Sequence, residues 1–231
     1  MKKVAILQSN YIPWKGYFDM INMVDEFVLY DCVQYTKNDW RNRNQIKTPS
    51  GVQWLSIACR FESLNQKINE TRVTDKLWAS KHFKTLVQNY SKAKHFKEYA
   101  PVFEKLYKDL SDTELLSEIN YRFIVAINDI LGIETKISKC EDFNLIEGQS
   151  SRLVQICKDA NATSYLSGPA AKDYIDEALF CEAGIDLEWM NYSGYGEYQQ
   201  LHLPFVHGVS IVDLIFNEGR DATKYMKSFK E

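Results

Sequence analysis

The chain has 231 residues, of which 45% are hydrophobic and 26% are charged, and its formal net charge at pH 7 is −3. This composition is typical of a globular protein with a large core, and the negative charge argues against non-specific binding to nucleic acid. The apolar run at residues 4–7 is too short for a signal peptide, and no run approaches the roughly 20 residues of a membrane span.

Five cysteines are scattered along the chain without a Cys-x-x-Cys pair: Cys32, Cys59, Cys140, Cys157 and Cys181. An odd number without a paired spacing favours reduced thiols over a disulfide framework or a zinc site. Together with the missing signal peptide, it predicts a cytoplasmic protein.

The amino-terminal part predicts the start of a parallel sheet. Residues 2–8 form a short apolar run typical of a buried strand, and Pro13 favours an extended loop after it. Apolar residues then recur at helical spacing from Gly16, and residues 27–30 predict a second strand. The loops after both strands therefore lie at one sheet edge, where open α/β sheets bind their ligands.

The rest of the chain predicts a helical block between two α/β segments. Strands are predicted at residues 52–60 and 70–75, followed by helices at 77–90, 96–110 and 113–131, the last with Asp112 as N-cap and Gly132 as C-cap. Strands at residues 133–138, 164–166 and 185–190 then alternate with helices at 151–160 and 173–183. Residues 209–217 are a closing helix or strand, and a polar helix follows residue 221.

The predicted fold is thus a single α/β domain over residues 1–231. Its parallel-sheet core combines the N-terminal strand–loop–helix–strand unit with the C-terminal α/β segment, and residues 77–131 form a central helical block.

A basic, aromatic segment at residues 35–47 follows the second strand. Its four cations, Lys37, Arg41, Arg43 and Lys47, face a single carboxylate, Asp39. Arginine grips carboxylates and phosphates through two parallel hydrogen bonds, so this segment predicts an anion-binding loop. The alternative is a solvated basic turn in which Trp40 covers the core.

The loop after the first strand places Lys15 and Gly16 at a predicted helix start. Helix amino termini attract anions, and glycine allows a ligand to approach the backbone closely. The segment matches neither the Walker loop nor the Gly-x-Gly-x-x-Gly fingerprint. The alternative is a Pro-Trp turn that only packs.

Asp31, at the end of the second strand, is the candidate catalytic carboxylate, although pairing with Arg41 or Arg43 explains it equally well. His82 and His202 are the candidate general bases because imidazole titrates near neutral pH. No carboxylate or cysteine near His202 has matching metal-ligand spacing, so no metal site is predicted. The Tyr- and Gly-rich segment at residues 191–199 is a candidate lid.

Five segments resemble the WbqC-like family, whose members occur in bacterial O-antigen and other surface-polysaccharide gene clusters: residues 7–18, 30–37, 39–44, 165–168 and 214–219. The resemblance extends over nearly the whole chain and implies a role in making a decorated sugar of a lipopolysaccharide or related polymer. Cys32 stands where a second Asp is usual in the family, which weakens a mechanism with paired carboxylates.

The resemblance and the basic loop together predict an N-acyl- or aminoacyltransferase acting on a nucleotide-linked amino sugar. An acyl-CoA or acyl-carrier donor suits this reaction, and a homodimer is compatible with it. The alternatives are a nucleotidyl- or other phosphate-group transferase using the same cleft, and a non-catalytic sugar-nucleotide-binding protein. The candidate catalytic residues are Asp31, His82 and His202, and the candidate substrate-binding residues are Gln8, Ser9, Asn10, Tyr11, Trp14, Lys15, Gln34, Tyr35, Lys37, Trp40, Arg41, Arg43, Asn44, Ser167 and Gly168.

Overall fold

A computed structural model describes residues 1–229 as a five-stranded parallel sheet with helices on both faces, beside a separate two-stranded hairpin. The elements in chain order are β1 (Lys3–Leu7), α1 (Lys15–Asn22), β2 (Glu26–Leu29), β3 (Arg43–Thr48), β4 (Gly51–Ser56), α2 (Trp78–Tyr90), α3 (Phe96–Asp109), α4 (Leu116–Leu131), β5 (Lys136–Lys139), α5 (Gln149–Asp159), β6 (Ser164–Ser167), α6 (Glu177–Glu182), β7 (Asp186–Trp189) and α7 (Ile211–Glu218). This confirms the predicted α/β fold.

The sheet separates two hydrophobic clusters. Val4 and Ile6 of β1 face a cluster that includes side chains of α5 and α6. Ala5, between them, faces a larger cluster with side chains of α1, the helices α2–α4 and α7. Because both faces are covered, the central strands contain consecutive apolar residues, such as residues 4–7 of β1 and 27–29 of β2, instead of strict alternation with polar residues.

The strand order is β5-β2-β1-β6-β7, so the chain reverses its direction of travel across the sheet between β1 and β6. From β1 it moves through β2 to β5, then returns to build β6 and β7 on the opposite side of β1. Such a reversal opens a crevice outside the carboxyl ends of the two strands, where doubly wound proteins bind ligands.

Two predictions in the first half need correction. The basic segment does not end as a loop, because its second part forms β3 and pairs antiparallel with β4. The strand predicted at residues 52–60 is present as β4 over Gly51–Ser56, and it is the partner strand of this hairpin. Residues 70–75, by contrast, are not a strand: this segment makes isolated bridges and backbone bonds such as Thr74 N to Ala58 O at 2.8 Å.

The predicted start of the third central helix is also wrong. Glu114 and Leu115 pair with the 71–73 backbone, as Val73 N to Glu114 O at 2.8 Å shows, so α4 begins at Leu116 and not after Asp112. Backbone pairing with residues 71–73, which are distant in the sequence, outweighed the preference of Asp112 to cap a helix. Gly132 is the predicted C-cap, with a left-handed φ of +71°.

The closing segment is the helix α7, and the chain after it forms a 3-10 helix at Gly219–Tyr225 rather than a regular helix from residue 221. Within residues 1–229, no helix is long and apolar enough to cross a membrane.

Candidate functional site

A cavity of about 800 Å³ opens where the sheet reverses, and we call it the switch-point cavity. Its volume lies in the range of sites that take small ligands and cofactors. Polar groups converge on it from the ends of three strands and from the start of α5. They include Gln8 after β1, Tyr30 after β2, Ser167 and Gly168 at the end of β6, Gly148, Gln149 and Arg152 at α5, and Trp40 and Tyr192 from more distant loops.

Arg152 is the cation of the switch-point cavity, and the sequence-based prediction missed it. Its Nε donates to the carbonyl of Ile146 at 2.6 Å, and its guanidinium hydrogen-bonds the Tyr30 side chain. Burial raises the pKa of Tyr30, and the Arg152 charge opposes that shift. A cation near the amino terminus of a helix interacts unfavourably with the helix dipole. The position of Arg152 in α5 therefore indicates a role other than stabilising the helix, and the sequence alone could have suggested it.

Arg41 joins the basic segment to the loop after β1, as the anion-loop hypothesis requires. Its Nη1 donates to Asn10 Oδ1, its Nη2 donates to Gln8 Oε1 at 3.3 Å, and the same Nη2 pairs with Asp39 at 3.4 Å. The structure therefore brings Gln8, Asn10 and Arg41 together. All three were predicted as substrate-binding residues.

Asp31 is buried, with 4% of its surface exposed. Its Oδ1 accepts the backbone N–H of Ser9 at 2.8 Å, and its carboxylate also accepts from the Ser9 hydroxyl. Burial raises the pKa of Asp31 to about 6, although the Ser9 bonds and the charge of Arg41 lower it. Asn120, which the prediction missed, supports this pair by donating to Ser9 Oγ at 3.0 Å and to the Arg41 carbonyl at 2.9 Å.

Asp31 borders a small cavity of about 170 Å³ at the ends of β2 and β5, and not the switch-point cavity. Glu118 and Glu141 also line it, and Lys139 pairs with Glu118 at 3.0 Å. The predicted ion pair of Asp31 with Arg41 or Arg43 does not form: Arg41 pairs with Asp39, and Arg43 packs 4.2 Å from the Trp54 ring.

A third cavity, of about 280 Å³, has no charged residue in its wall, and we call it the neutral cavity. It is lined by Asn10, Pro13, Trp14, Trp40, Asn44 and Gly208. Trp40 belongs to the walls of both the neutral and the switch-point cavities. The Trp14 ring packs against Tyr192, at 5.2 Å between centroids, so the predicted lid segment reaches this region.

His82 lies outside these three cavities, inside an aromatic cluster. Its Nδ1 is 2.8 Å from the hydroxyl of Tyr11, which in turn lies 2.7 Å from the hydroxyl of Tyr107. Burial lowers the pKa of His82 to about 4, so this histidine is neutral at pH 7. The second candidate, His202, also lines none of them, and its Nε2 lies 2.9 Å from the carbonyl of Asn89.

Lys15 opens α1 as predicted, but its side chain is buried against the late loop. Its Nζ donates to the carbonyl of Gly196 at 3.1 Å and lies 5.0 Å from the Tyr195 ring. Gly16 is needed for packing, since a Cβ there would lie 2.3 Å from the ring of Trp14.

Other predicted residues support the site from outside. Asn44 Nδ2 donates to the carbonyls of Tyr11 and Ile12, both at 3.0 Å, and so holds the loop after β1 in place. Tyr35 is buried and hydrogen-bonds Cys59. Of the remaining residues predicted to bind substrate, Gln34 and Lys37 have exposed side chains. Lys47, the last cation of the basic segment, is buried.

The five cysteines are free thiols, of which Cys32, Cys140 and Cys157 are buried. Cys32, the position after Asp31, donates its backbone N–H to Cys140 Sγ at 3.0 Å. Within residues 1–229, no group of three or more His, Cys, Asp or Glu side chains could hold a metal ion.

These features define a doubly wound α/β protein with a cavity at the point where its strand order reverses. The chain belongs to the WbqC-like protein family, whose profile matches residues 8–225. It is similar to the uncharacterized protein Rv1507c of Mycobacterium tuberculosis, with 47% identity over 228 residues, which is 98% of each chain. No solved structure matches it.

Proposed function

We propose that this protein is a cytoplasmic transferase of bacterial surface-polysaccharide synthesis, of the O-antigen type, and that it acylates the amino group of a nucleotide-linked sugar. The observation that carries the proposal is the switch-point cavity. It combines the volume of a nucleotide-sized ligand with a cation, Arg152, beside the amino terminus of α5. The positive charge of Arg152 and the amino terminus of α5 favour the phosphates of a nucleotide over a neutral metabolite, and the volume is sufficient for the whole ligand.

The reaction joins an amine to an activated acyl group. The amine nitrogen attacks the carbonyl carbon of a thioester, the C–S bond breaks, and the thiolate of a coenzyme A or carrier-protein donor leaves. The amine proton passes to a base and from there to the departing thiolate, so the products are an amide and a thiol. Because the donor is a separate molecule, the enzyme has to hold two substrates side by side.

Asp31 is the proposed proton acceptor. With a pKa of about 6 it is mostly ionised at pH 7 and more basic than an exposed aspartate. Ser9, hydrogen-bonded to Asp31, stands in the chain between Gln8 of the switch-point cavity and Asn10 of the neutral cavity. Ser9 is itself fully buried, so its part in the proposal is to fix Asp31 beside the loop that lines both cavities.

The proposal leaves His82 and His202 outside the chemistry, since each lies outside the described cavities and has a protein partner of its own. Lys15 likewise supports the late loop, whereas Arg41 and Arg152 supply the positive charge at the site.

A ligand screen tests the proposal. The thermal midpoint of the purified protein is measured with UDP- and dTDP-linked amino sugars, coenzyme A thioesters, and ATP with magnesium, since a ligand that binds the native state raises it. We expect shifts with an amino-sugar nucleotide and with a thioester, followed by release of free thiol when both are present. A shift with ATP and magnesium alone would support nucleotidyl transfer, and binding without turnover would support a non-catalytic binding protein.

A further inference from the structure

The neutral cavity differs from its neighbour in charge and in size. Its wall has no Lys, Arg, Asp or Glu, whereas Arg152 belongs to the switch-point cavity. A wall without charged side chains offers no counter-charge to an ion that gives up part of its hydration there, so the preferred occupant is neutral. At about 280 Å³, the cavity falls just below the usual range for drug-sized ligands, which suits a single ring better than a whole sugar nucleotide.

The wall of the neutral cavity combines flat apolar faces with few polar groups. Pro13, Trp14 and Trp40 supply the apolar surface. The amide of Asn44 is buried and already used by Tyr11, Ile12 and Gln45, whereas the amide of Asn10, whose Oδ1 accepts from Arg41, is only partly buried. A ligand with apolar faces and a polar rim matches this wall. A pyranose ring has that chemistry, because its C–H bonds form the faces and its hydroxyls lie around the edge.

The two cavities adjoin along one short stretch of chain. Trp40 lines both of them. Gln8 of the switch-point cavity and Asn10 of the neutral cavity both accept hydrogen bonds from the Arg41 guanidinium. One extended molecule can therefore place a charged part in the first cavity and a neutral ring in the second.

We propose that the neutral cavity is the subsite for the hexose ring of the substrate, and that the ring stacks on Trp40 while the nucleotide lies in the switch-point cavity. This inference rests on the proposed function, because it assumes a nucleotide-linked sugar. It makes Trp40 the residue that distinguishes a sugar nucleotide from the bare nucleotide.

Trp54 provides a matched control. Its side chain is exposed to a similar degree, 38% against 42% for Trp40, and the two rings lie 5.2 Å apart. Unlike Trp40, however, Trp54 lines neither cavity. Loss of its ring removes a comparable apolar surface from the same hairpin region without opening the wall of the proposed subsite.

The experiment compares the affinities of a UDP- or dTDP-linked amino sugar and of the same nucleoside diphosphate without the sugar, measured by calorimetry. Because Trp40 also borders the switch-point cavity, we expect Trp40→Ala to weaken both ligands, but to weaken the sugar nucleotide about tenfold more than the diphosphate. Trp40→Phe should retain most of the affinity because a ring remains, and Trp54→Ala should bind both ligands as the wild type does. Equal losses for the two ligands in Trp40→Ala would overturn the subsite and leave the nucleotide site standing.

A second measurement separates this inference from the proposed function. If the wild type binds no nucleotide at all, the proposed function fails, and N-acetylglucosamine alone is then tested at millimolar concentration by saturation-transfer NMR. Transfer to the ring C–H protons that disappears in Trp40→Ala would support a saccharide subsite on its own. Absence of transfer in the wild type would overturn it.

Discussion

The backbone N–H of Ser9 donates a hydrogen bond of 2.8 Å to Oδ1 of Asp31, which ties the loop after β1 to the end of the neighbouring strand β2. Parallel pairing brings the ends of these strands together, so residues 22 positions apart in sequence become partners. Ser9 holds the carboxylate in one place, while burial keeps its pKa near 6. A fixed, moderately basic carboxylate at this edge is the basis of two predictions.

The first concerns proton transfer. Asp31→Asn keeps an oxygen that can accept from the Ser9 amide but removes the base, so we expect thiol release in the acyl-transfer assay to fall by about 10²- to 10⁴-fold. Binding of the sugar nucleotide, measured by calorimetry, should remain within about threefold because Asp31 lies outside the switch-point cavity. Unchanged turnover would remove Asp31 from the mechanism.

The second concerns stability against pH. The raised pKa of Asp31 means that the folded protein binds this proton more tightly than the unfolded chain. Stability is therefore lost as the pH rises from about 4 to about 6, by at most about 3 kcal/mol for this group. Asp31→Asn removes the loss, so its urea-unfolding free energy relative to the wild type should increase across that window and then level off. A difference independent of pH would show that Asp31 titrates normally.

Arg41 and Arg43, equivalent in the sequence, should behave differently. Arg41 bonds Gln8 and Asn10 between the cavities, whereas Arg43 packs on the exposed Trp54. We expect Arg41→Ala to weaken sugar-nucleotide binding by about 10- to 100-fold, as is common for loss of a charged hydrogen-bond donor. Arg43→Ala serves as the control and should change affinity by less than about threefold. Equal effects would contradict the separation of their roles.

Arg152 should carry the affinity for the nucleotide. Arg152→Ala is expected to weaken binding of the nucleoside diphosphate itself by at least about tenfold and to reduce its dependence on salt. Lys158→Ala, on the exposed face of the same helix, removes a charge of the same sign outside the cavity and is the matched control. If both variants bind the diphosphate equally well, the phosphates do not lie at α5.

His82 should matter for stability and not for turnover. Its lowered pKa means that the unfolded chain takes up this proton first, so stability is lost as the pH falls from about 6.5 to about 4. His82→Gln is neutral at every pH, and we expect it to unfold at lower urea concentration at pH 7 but to lose less stability on acidification. Thiol release at 20 °C should stay within a few-fold of the wild type. Loss of turnover in a fully folded variant would restore a catalytic role.

Local patterns were sufficient where local interactions decide the structure. The apolar runs of β1 and β2, the start of α1 at Lys15 and the left-handed C-cap at Gly132 follow from the residues themselves. They failed where a distant partner intervened. The local pattern predicts a helix from residue 113, yet the backbone of residues 114–116 pairs with residues 71–73, and no periodicity within either segment indicates the other.

The candidate site divides in the same way. By itself the sequence determined the α/β class, the clustering of Gln8, Asn10 and Arg41 near the strand ends, and the likeness to the WbqC-like family, because each depends on neighbouring residues or on the order of elements. Only the tertiary structure decided that Arg152 faces the switch-point cavity, that Trp40 borders two cavities, and that His82 is enclosed by Tyr11 and Tyr107. These placements depend on which strands pair and which helices cover them, so they exist only once the sheet has assembled.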